Sequence, residues 1–70
     1  IISIMAKIQL NGKQLKINKN LSIKKLLKKY KLNEKKIAIE LNGVILPKQL
    51  YGKKIRDRDK IEIVHFIGGG

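Results

Sequence analysis

The sequence predicts an α+β domain in which one main helix packs on one face of a mixed sheet of four to five strands. Three observations predict it: apolar residues alternate in several short segments, one segment changes to a helical period, and Asn-Gly pairs separate alternating segments. Alternation is typical of half-buried strands, and apolar spacings of three and four residues are typical of an amphipathic helix. A length of 70 residues fits one small domain.

The first two strands are predicted to form a hairpin. Apolar residues alternate over 6–11 and again over 14–18, and Asn11-Gly12 lies between the two segments. Asn-Gly is the strongest short hairpin signal because the tight turn needs positive φ at both central residues.

A helix is predicted to follow this hairpin. Ser22 is its predicted N-cap, and Leu21 is placed to pack on Leu26 as a hydrophobic staple. Four residues at helical spacing form its apolar stripe: Ile23, Leu26, Leu27 and Tyr30. Four lysines on the opposite side are interpreted as a solvated face: Lys24, Lys25, Lys28 and Lys29.

Alternation returns after the helix. Residues 37–41 predict a strand, Asn42-Gly43 predicts a second tight turn, and the short strand 44–46 ends at Pro47. The segment 48–56 is predicted to be irregular with a short helical turn.

The last strand is predicted to begin at Lys60, after a chain reversal formed by Asp57-Arg58-Asp59. Ile61 and Ile63 share one face, on which His65 can also lie, and Glu62 and Val64 occupy the other. This strand cannot pair with its immediate neighbours alone. Placing it parallel to the first strand, in the centre of the sheet, predicts a β-grasp arrangement.

The composition excludes several classes of protein. The chain has no cysteine, which excludes disulfides, a thiolate nucleophile and cysteine-ligated metal sites and is consistent with a cytoplasmic location. No apolar run reaches the length of a membrane span or a signal-peptide core. We expect the domain to occupy 5–67, with 1–4 as a non-native or extended segment before Met5 and 68–70 as a flexible tail.

The formal net charge of +12 raises the possibility of nucleic-acid binding. Two features argue against it. Only Arg56 and Arg58 among the 17 basic residues are arginines, the residue type favoured for bidentate phosphate and base contacts. Three aromatic side chains do not provide a stacking platform for single strands: Tyr30, Tyr51 and Phe66.

No catalytic constellation or metal site is visible in the sequence. His65 is the only imidazole, and Ser3 and Ser22 lack the context of a nucleophile. The five acids are scattered, and Asp57 and Asp59 are interpreted as turn residues that bond to nearby backbone. We expect no bound cofactor and no enzymatic activity of the chain itself.

The terminal run Gly68-Gly69-Gly70 is not explained by a contribution to the stability of the fold. Glycine loses more backbone entropy on ordering than any other residue and brings no side chain to bury. The run is either a cloning remnant or a tail that threads a narrow channel. Four extended residues beyond Phe66 reach roughly 13–14 Å, enough to bring a carboxylate into another protein's active site.

The segment 57–70, with an acidic turn, Ile-Glu-Ile-Val-His, an apolar pair and glycines, resembles the C-terminus of the thiamine-biosynthesis sulfur carrier family, ThiS. Leu21-Ser22, the turn at Asn42-Gly43 and Pro47 extend the resemblance over the chain from residue 5. Arg58 departs from it, because many members have glycine there. The basic charge is also higher than expected for this family.

This resemblance implies a ubiquitin-like β-grasp carrier that acts as a co-substrate of partner enzymes. A ThiF-like adenylating enzyme related to ubiquitin E1 would use ATP to activate the Gly70 carboxylate. A sulfur donor such as a cysteine desulfurase would convert it to a thiocarboxylate for a ThiG-like thiazole synthase. Gly68 and Gly69 would lie in the enzyme channel, and three residues would make docking contacts: His65, Phe66 and Ile67.

Three alternatives remain open at this stage. The small subunit of molybdopterin synthase also ends in Gly-Gly and carries sulfur, although its tail tends to hold a proline before the glycines. A protein-conjugating modifier would use the same tail chemistry. A small basic nucleic-acid-binding domain is the alternative that the net charge suggests.

Overall fold

Five strands and one α-helix make up the part of the chain that the computed structural model describes, residues 4–66. They are β1 (Met5–Leu10), β2 (Lys13–Asn18), α1 (Ile23–Lys29), β3 (Ile37–Leu41), β4 (Val44–Ile45) and β5 (Lys60–His65). Short 3-10 helices occupy Glu34–Lys36 and Lys48–Leu50. The strands form one mixed sheet in the order β2-β1-β5-β3-β4, which confirms the predicted fold class.

Strand β5 lies in the centre of the sheet. It runs parallel to β1, where Gln9 is opposite Lys60, and antiparallel to β3 along its whole length. The Asn11 N–H donates to the Ile61 carbonyl at 2.9 Å, and the Gln9 N–H donates to the Asp59 carbonyl at the same distance. The predicted central, parallel placement of the last strand is therefore confirmed.

Both Asn-Gly pairs form the predicted turns. Asn11 and Gly12 have φ values of 47° and 82°, and Asn42 and Gly43 have φ values of 53° and 85°. Two successive positive φ values define the type I′ turn, whose twist matches that of the strands it connects. Each turn thus fixes the register of its hairpin, β1 with β2 and β3 with β4.

Helix α1 covers one face of the sheet, which we call the inner face. Its N-cap is Ser22, whose hydroxyl accepts a hydrogen bond from the Lys25 N–H at 3.2 Å, as predicted. The side chain of Leu26 is fully buried in the resulting core. The core cluster comprises Ala6, Ile8, Ile17, Ile23, Leu26, Leu27, Ile37, Ile39, Leu46, Tyr51, Ile55 and Ile61.

The assignment of Tyr30 to the buried stripe is wrong. The helix ends at Lys29, and Tyr30 is its C-cap with an exposed side chain. The next residue, Lys31, has φ 57°, and the Leu32 N–H donates to the Leu27 carbonyl at 2.9 Å. This is the Schellman arrangement of a helix end, which reverses the chain one residue early and turns Leu32 toward the core in place of Tyr30.

The predicted strand 44–46 is one residue too long. β4 contains only Val44 and Ile45, while Leu46 turns its side chain into the core. Its N–H still donates to the Ile39 carbonyl at 2.8 Å, so pairing stops immediately before Pro47. Proline has no N–H with which to continue the ladder.

The turn before β5 differs in part from the prediction. Asp59 does bond locally, since one oxygen accepts from the Arg56 N–H at 2.8 Å. Asp57 does not: its Oδ1 accepts from the Lys7 N–H at 2.7 Å, across 50 residues. The parallel pairing brings the start of β1 beside this turn, so Asp57 ties the turn to β1.

We predict that Arg58→Gly raises the free energy of unfolding by about 1 kcal/mol, because Arg58 has φ 70° and a left-handed conformation costs a residue with a Cβ about that much. Urea denaturation measures the change. Arg58→Ala is the matched control, since it removes the same charge and keeps the Cβ. Equal stabilisation by both variants would attribute the effect to charge and contradict the backbone argument.

Candidate functional site

Phe66 is the last residue that the structure describes, and it directly follows the central strand β5. At this end, His65 lies opposite Ile37 of β3, and the Phe66 N–H donates to the Lys36 carbonyl at 2.9 Å. On the other side, the Ile63 N–H donates to Oδ1 of Asn11, in the β1–β2 turn, at 2.7 Å. Strand β5 is therefore hydrogen-bonded on the β3 side as far as Phe66 and on the β1 side as far as Ile63.

The structure describes two of the predicted site residues. His65 is exposed at the last position of β5, and Phe66, which follows it, is 57% exposed. An exposed phenylalanine next to a fixed backbone is suited to contact with a partner protein. Four predicted site residues lie outside the described residues: Ile67, Gly68, Gly69 and Gly70.

An apolar surface adjoins Phe66 on the sheet face opposite α1, which we call the outer face. Val64, half exposed, lies directly opposite Ala38 on β3, and Ile45 on β4 is exposed opposite Glu40. Strand alternation places Val64 and Phe66 on the same side. We call Ala38, Ile45, Val64 and Phe66 the tail-side surface.

The sequence reasoning missed three members of this surface: Ala38, Ile45 and Val64. The signal was the alternation itself, because apolar residues on the strand face that no helix covers are not explained by the core. Val64 was assigned to that face, but its neighbours across the sheet became visible only from the register of β3 with β5.

The described residues contain no group of three or more histidine, cysteine, aspartate or glutamate side chains placed to hold a metal ion. Burial, with the nearby Glu34 carboxylate, raises the pKa of Tyr51, whose side chain belongs to the core. From residue 4 to residue 66, no helix is long and apolar enough to cross a membrane.

Comparison with known proteins gives consistent results. The family model of the ThiS family matches residues 8–70. The chain is 46% identical over 65 residues to the sulfur carrier protein ThiS of Bacillus subtilis strain 168, covering 90% of this chain and 98% of that protein. The solved structure of the thiamine biosynthesis protein ThiS from Geobacter metallireducens superposes with a TM-score of 0.76 at 28% identity, over 91% of this chain and 99% of that one.

A further relative is a thiazole synthase. The enzyme from Paramagnetospirillum magneticum is 37% identical over 65 residues, which make up 91% of this chain but only 20% of the enzyme. One region of that synthase is thus similar to nearly the whole chain.

The fold, the tail and these relatives together define a β-grasp sulfur carrier of thiamine biosynthesis. The chain belongs to the ThiS family. The comparisons favour this carrier over the molybdopterin-synthase and nucleic-acid alternatives.

Proposed function

We propose that the chain carries sulfur as a thiocarboxylate on Gly70 and acts as a co-substrate of partner enzymes. The observation that supports this is the position of Phe66: it directly follows the central strand, which is hydrogen-bonded on the β3 side as far as Phe66 and to the β1–β2 turn as far as Ile63. From there four residues span roughly 13–14 Å when extended. The tail therefore has the reach to enter a partner's active site while the domain stays outside.

The chemistry begins with activation, because a free carboxylate is a poor electrophile. A ThiF-like adenylating enzyme joins the Gly70 carboxylate to the α-phosphate of ATP and releases pyrophosphate, which makes AMP the leaving group. The terminal sulfur of a persulfide donor, such as a cysteine desulfurase, then attacks the carbonyl carbon and expels AMP. A thiol cleaves the resulting S–S bond reductively and leaves the thiocarboxylate.

The proposed acceptor of this sulfur is a ThiG-like thiazole synthase. Two thiazole synthases, from Paramagnetospirillum magneticum and Magnetococcus marinus, contain a region similar to this chain that covers 20% of their length. The presence of a carrier-like region and a synthase in one protein supports the proposal that carrier and synthase act in the same reaction path. Gly68 and Gly69 are assigned to the enzyme channel, and His65, Phe66 and Ile67 to docking. A cytoplasmic location is part of the same proposal.

The test of this function is the intact mass of the protein. After incubation with the adenylating enzyme, ATP and a persulfide donor, we expect the mass to rise by the difference between one sulfur and one oxygen. Omission of ATP is the control and should leave the mass unchanged. If the mass stays fixed with an adenylating enzyme of demonstrated activity, the thiocarboxylate proposal is wrong.

Phe66 provides a second prediction. Phe66→Ala should raise the KM of thiocarboxylate formation by about tenfold, which corresponds to about 1.4 kcal/mol and is within the range lost when an aromatic hot spot is truncated at an interface. Its kcat should change little, because Phe66 does not reach the reacting carbonyl. Leu50→Ala, at another exposed apolar residue, is the matched control. Equal KM values for the two variants would exclude Phe66 from docking.

A further inference from the structure

Seven cationic side chains gather at one end of the sheet. Two adjoining depressions share Lys19 and Asp57 in their walls. The cations that line them are Lys7, Lys16, Lys19, Lys53, Lys54, Arg56 and Arg58, and we call this set the basic end. It contains both arginines of the chain, and Asp57 is the one carboxylate in the lining of these two depressions.

The basic end lies at the end of β5 that is away from His65. Lys7 precedes the position where Gln9 meets Lys60, and β5 runs on from there to His65. At 3.3 Å per residue this separates the basic end from His65 by about 23 Å along the strands. An enzyme that binds the tail can therefore contact the basic end as well only through an extended surface.

The backbone of the basic end is held in place. The Arg58 N–H donates to the Lys7 carbonyl at 2.7 Å, and the Lys19 N–H donates to the Ile4 carbonyl at 2.9 Å. Lys54 forms a β-bridge with Ser22. These bonds hold the chain segments that carry the cations, which lowers the ordering cost of binding.

Charges on the outer face are separated by sign. Lys7 lies directly opposite Lys16 in the β1–β2 pair, and Glu40 lies directly opposite Glu62 in the β3–β5 pair. Like charges opposite one another destabilise a sheet, whereas unlike pairs would stabilise it. The single salt bridge found within residues 4–66 joins Arg58 to Asp57 at 3.9 Å, so neither pair is neutralised by an ion pair there.

From this separation we infer that the basic end docks on an acidic surface of the thiazole synthase, which orients the carrier so that its tail faces the active site. The inference rests on the proposed function. A carboxylate-rich enzyme surface complements the lysines, and cationic groups nearer the active site complement Glu40 and Glu62. The separated charges, unfavourable in the free protein, are matched in the complex.

A nucleic acid fits this face less well. A phosphate backbone lying along the outer face would meet the Glu40 and Glu62 carboxylates. The residues that line the two depressions include no aromatic side chain on which a base could stack. A protein surface, unlike a uniform polyanion, can match both signs of charge at once.

The experiment compares two triple variants with the same change in net charge. Lys7→Gln/Lys16→Gln/Arg58→Gln alters the basic end, and Lys25→Gln/Lys28→Gln/Lys29→Gln alters the solvent face of α1. Stopped-flow or surface-plasmon measurements give association rates with purified thiazole synthase at several salt concentrations. We expect the first variant to associate about tenfold more slowly at low salt, with a shallower salt dependence, and the control to remain near wild type.

Each other outcome contradicts the inference. Equal slowing of both variants would show an effect of net charge alone, and unchanged rates would show that the basic end makes no contact. If the first variant loses binding to an RNA probe while its association with the synthase is unchanged, a nucleic acid is the ligand of the basic end. Intact mass after activation is measured in parallel: failure of the wild type to gain sulfur rejects the proposed function, whereas normal sulfur gain with unchanged association rejects only the docking surface.

Discussion

We expect deletion of Gly69 and Gly70 to abolish sulfur transfer and to leave the thermal midpoint of unfolding nearly unchanged. The core of the described domain runs from Ala6 to Ile61, and glycines add no side chain to it. Deletion removes the proposed Gly70 acceptor carbon and shortens the reach of the chain by about 7 Å. Intact mass measures the transfer, and differential scanning calorimetry measures the midpoint.

Substitution of Gly69 gives the graded form of this test. Gly69→Ala and Gly69→Val keep the length of the tail and its carboxylate, and they add a small and a larger side chain where the channel is expected to close around bare backbone. Thiocarboxylate formation should slow in that order. A large loss of stability on deletion would contradict the proposed role of the tail in sulfur transfer. Equal rates for the wild type, Gly69→Ala and Gly69→Val would contradict it as well.

Leu26→Ala should lower the free energy of unfolding by roughly 2–5 kcal/mol, the usual cost of emptying a core site. Leu26 has no accessible surface and lies at the centre of the helix face that covers the sheet. Small domains have a total stability of about 5–15 kcal/mol, so this change removes a large part of it. Urea denaturation followed by circular dichroism measures the loss.

Lys28→Ala is the control for this prediction, because Lys28 is exposed on the solvent face of the same helix. Surface substitutions usually change stability by no more than about 0.5 kcal/mol. If Leu26→Ala changed stability as little as Lys28→Ala, the result would contradict the burial of Leu26 between α1 and the sheet.

The sequence predicted those elements whose signal is local. Asn11-Gly12 and Asn42-Gly43 determine their turns because few other residue pairs accept two positive φ values. The end of α1 was misjudged because a lysine, not a glycine, occupies the left-handed position at Lys31. The periodicity alone extended the stripe to Tyr30, whereas the chain reversal makes Leu32 the residue that packs on the core.

Features that depend on pairing between distant segments were harder to predict. The bond between Asp57 and the Lys7 N–H, and the apposition of Lys7 with Lys16, require the strand register. The exposed Val64 could be placed on a face but not beside Ala38. The assignments in the tail rest on the sequence alone. Gly68, Gly69 and Gly70 therefore stay predictions as site residues, and so do the domain boundaries 1–4, 5–67 and 68–70.

The central position of β5 has a mechanical consequence. A partner that binds the chain beyond Phe66 and pulls along β5 applies a shear force to the hydrogen bonds that join β5 to β1 and to β3. Bonds loaded in shear share the force, whereas an edge strand peeled from one side would lose them one at a time. The domain can therefore be drawn against an enzyme by its tail and remain folded.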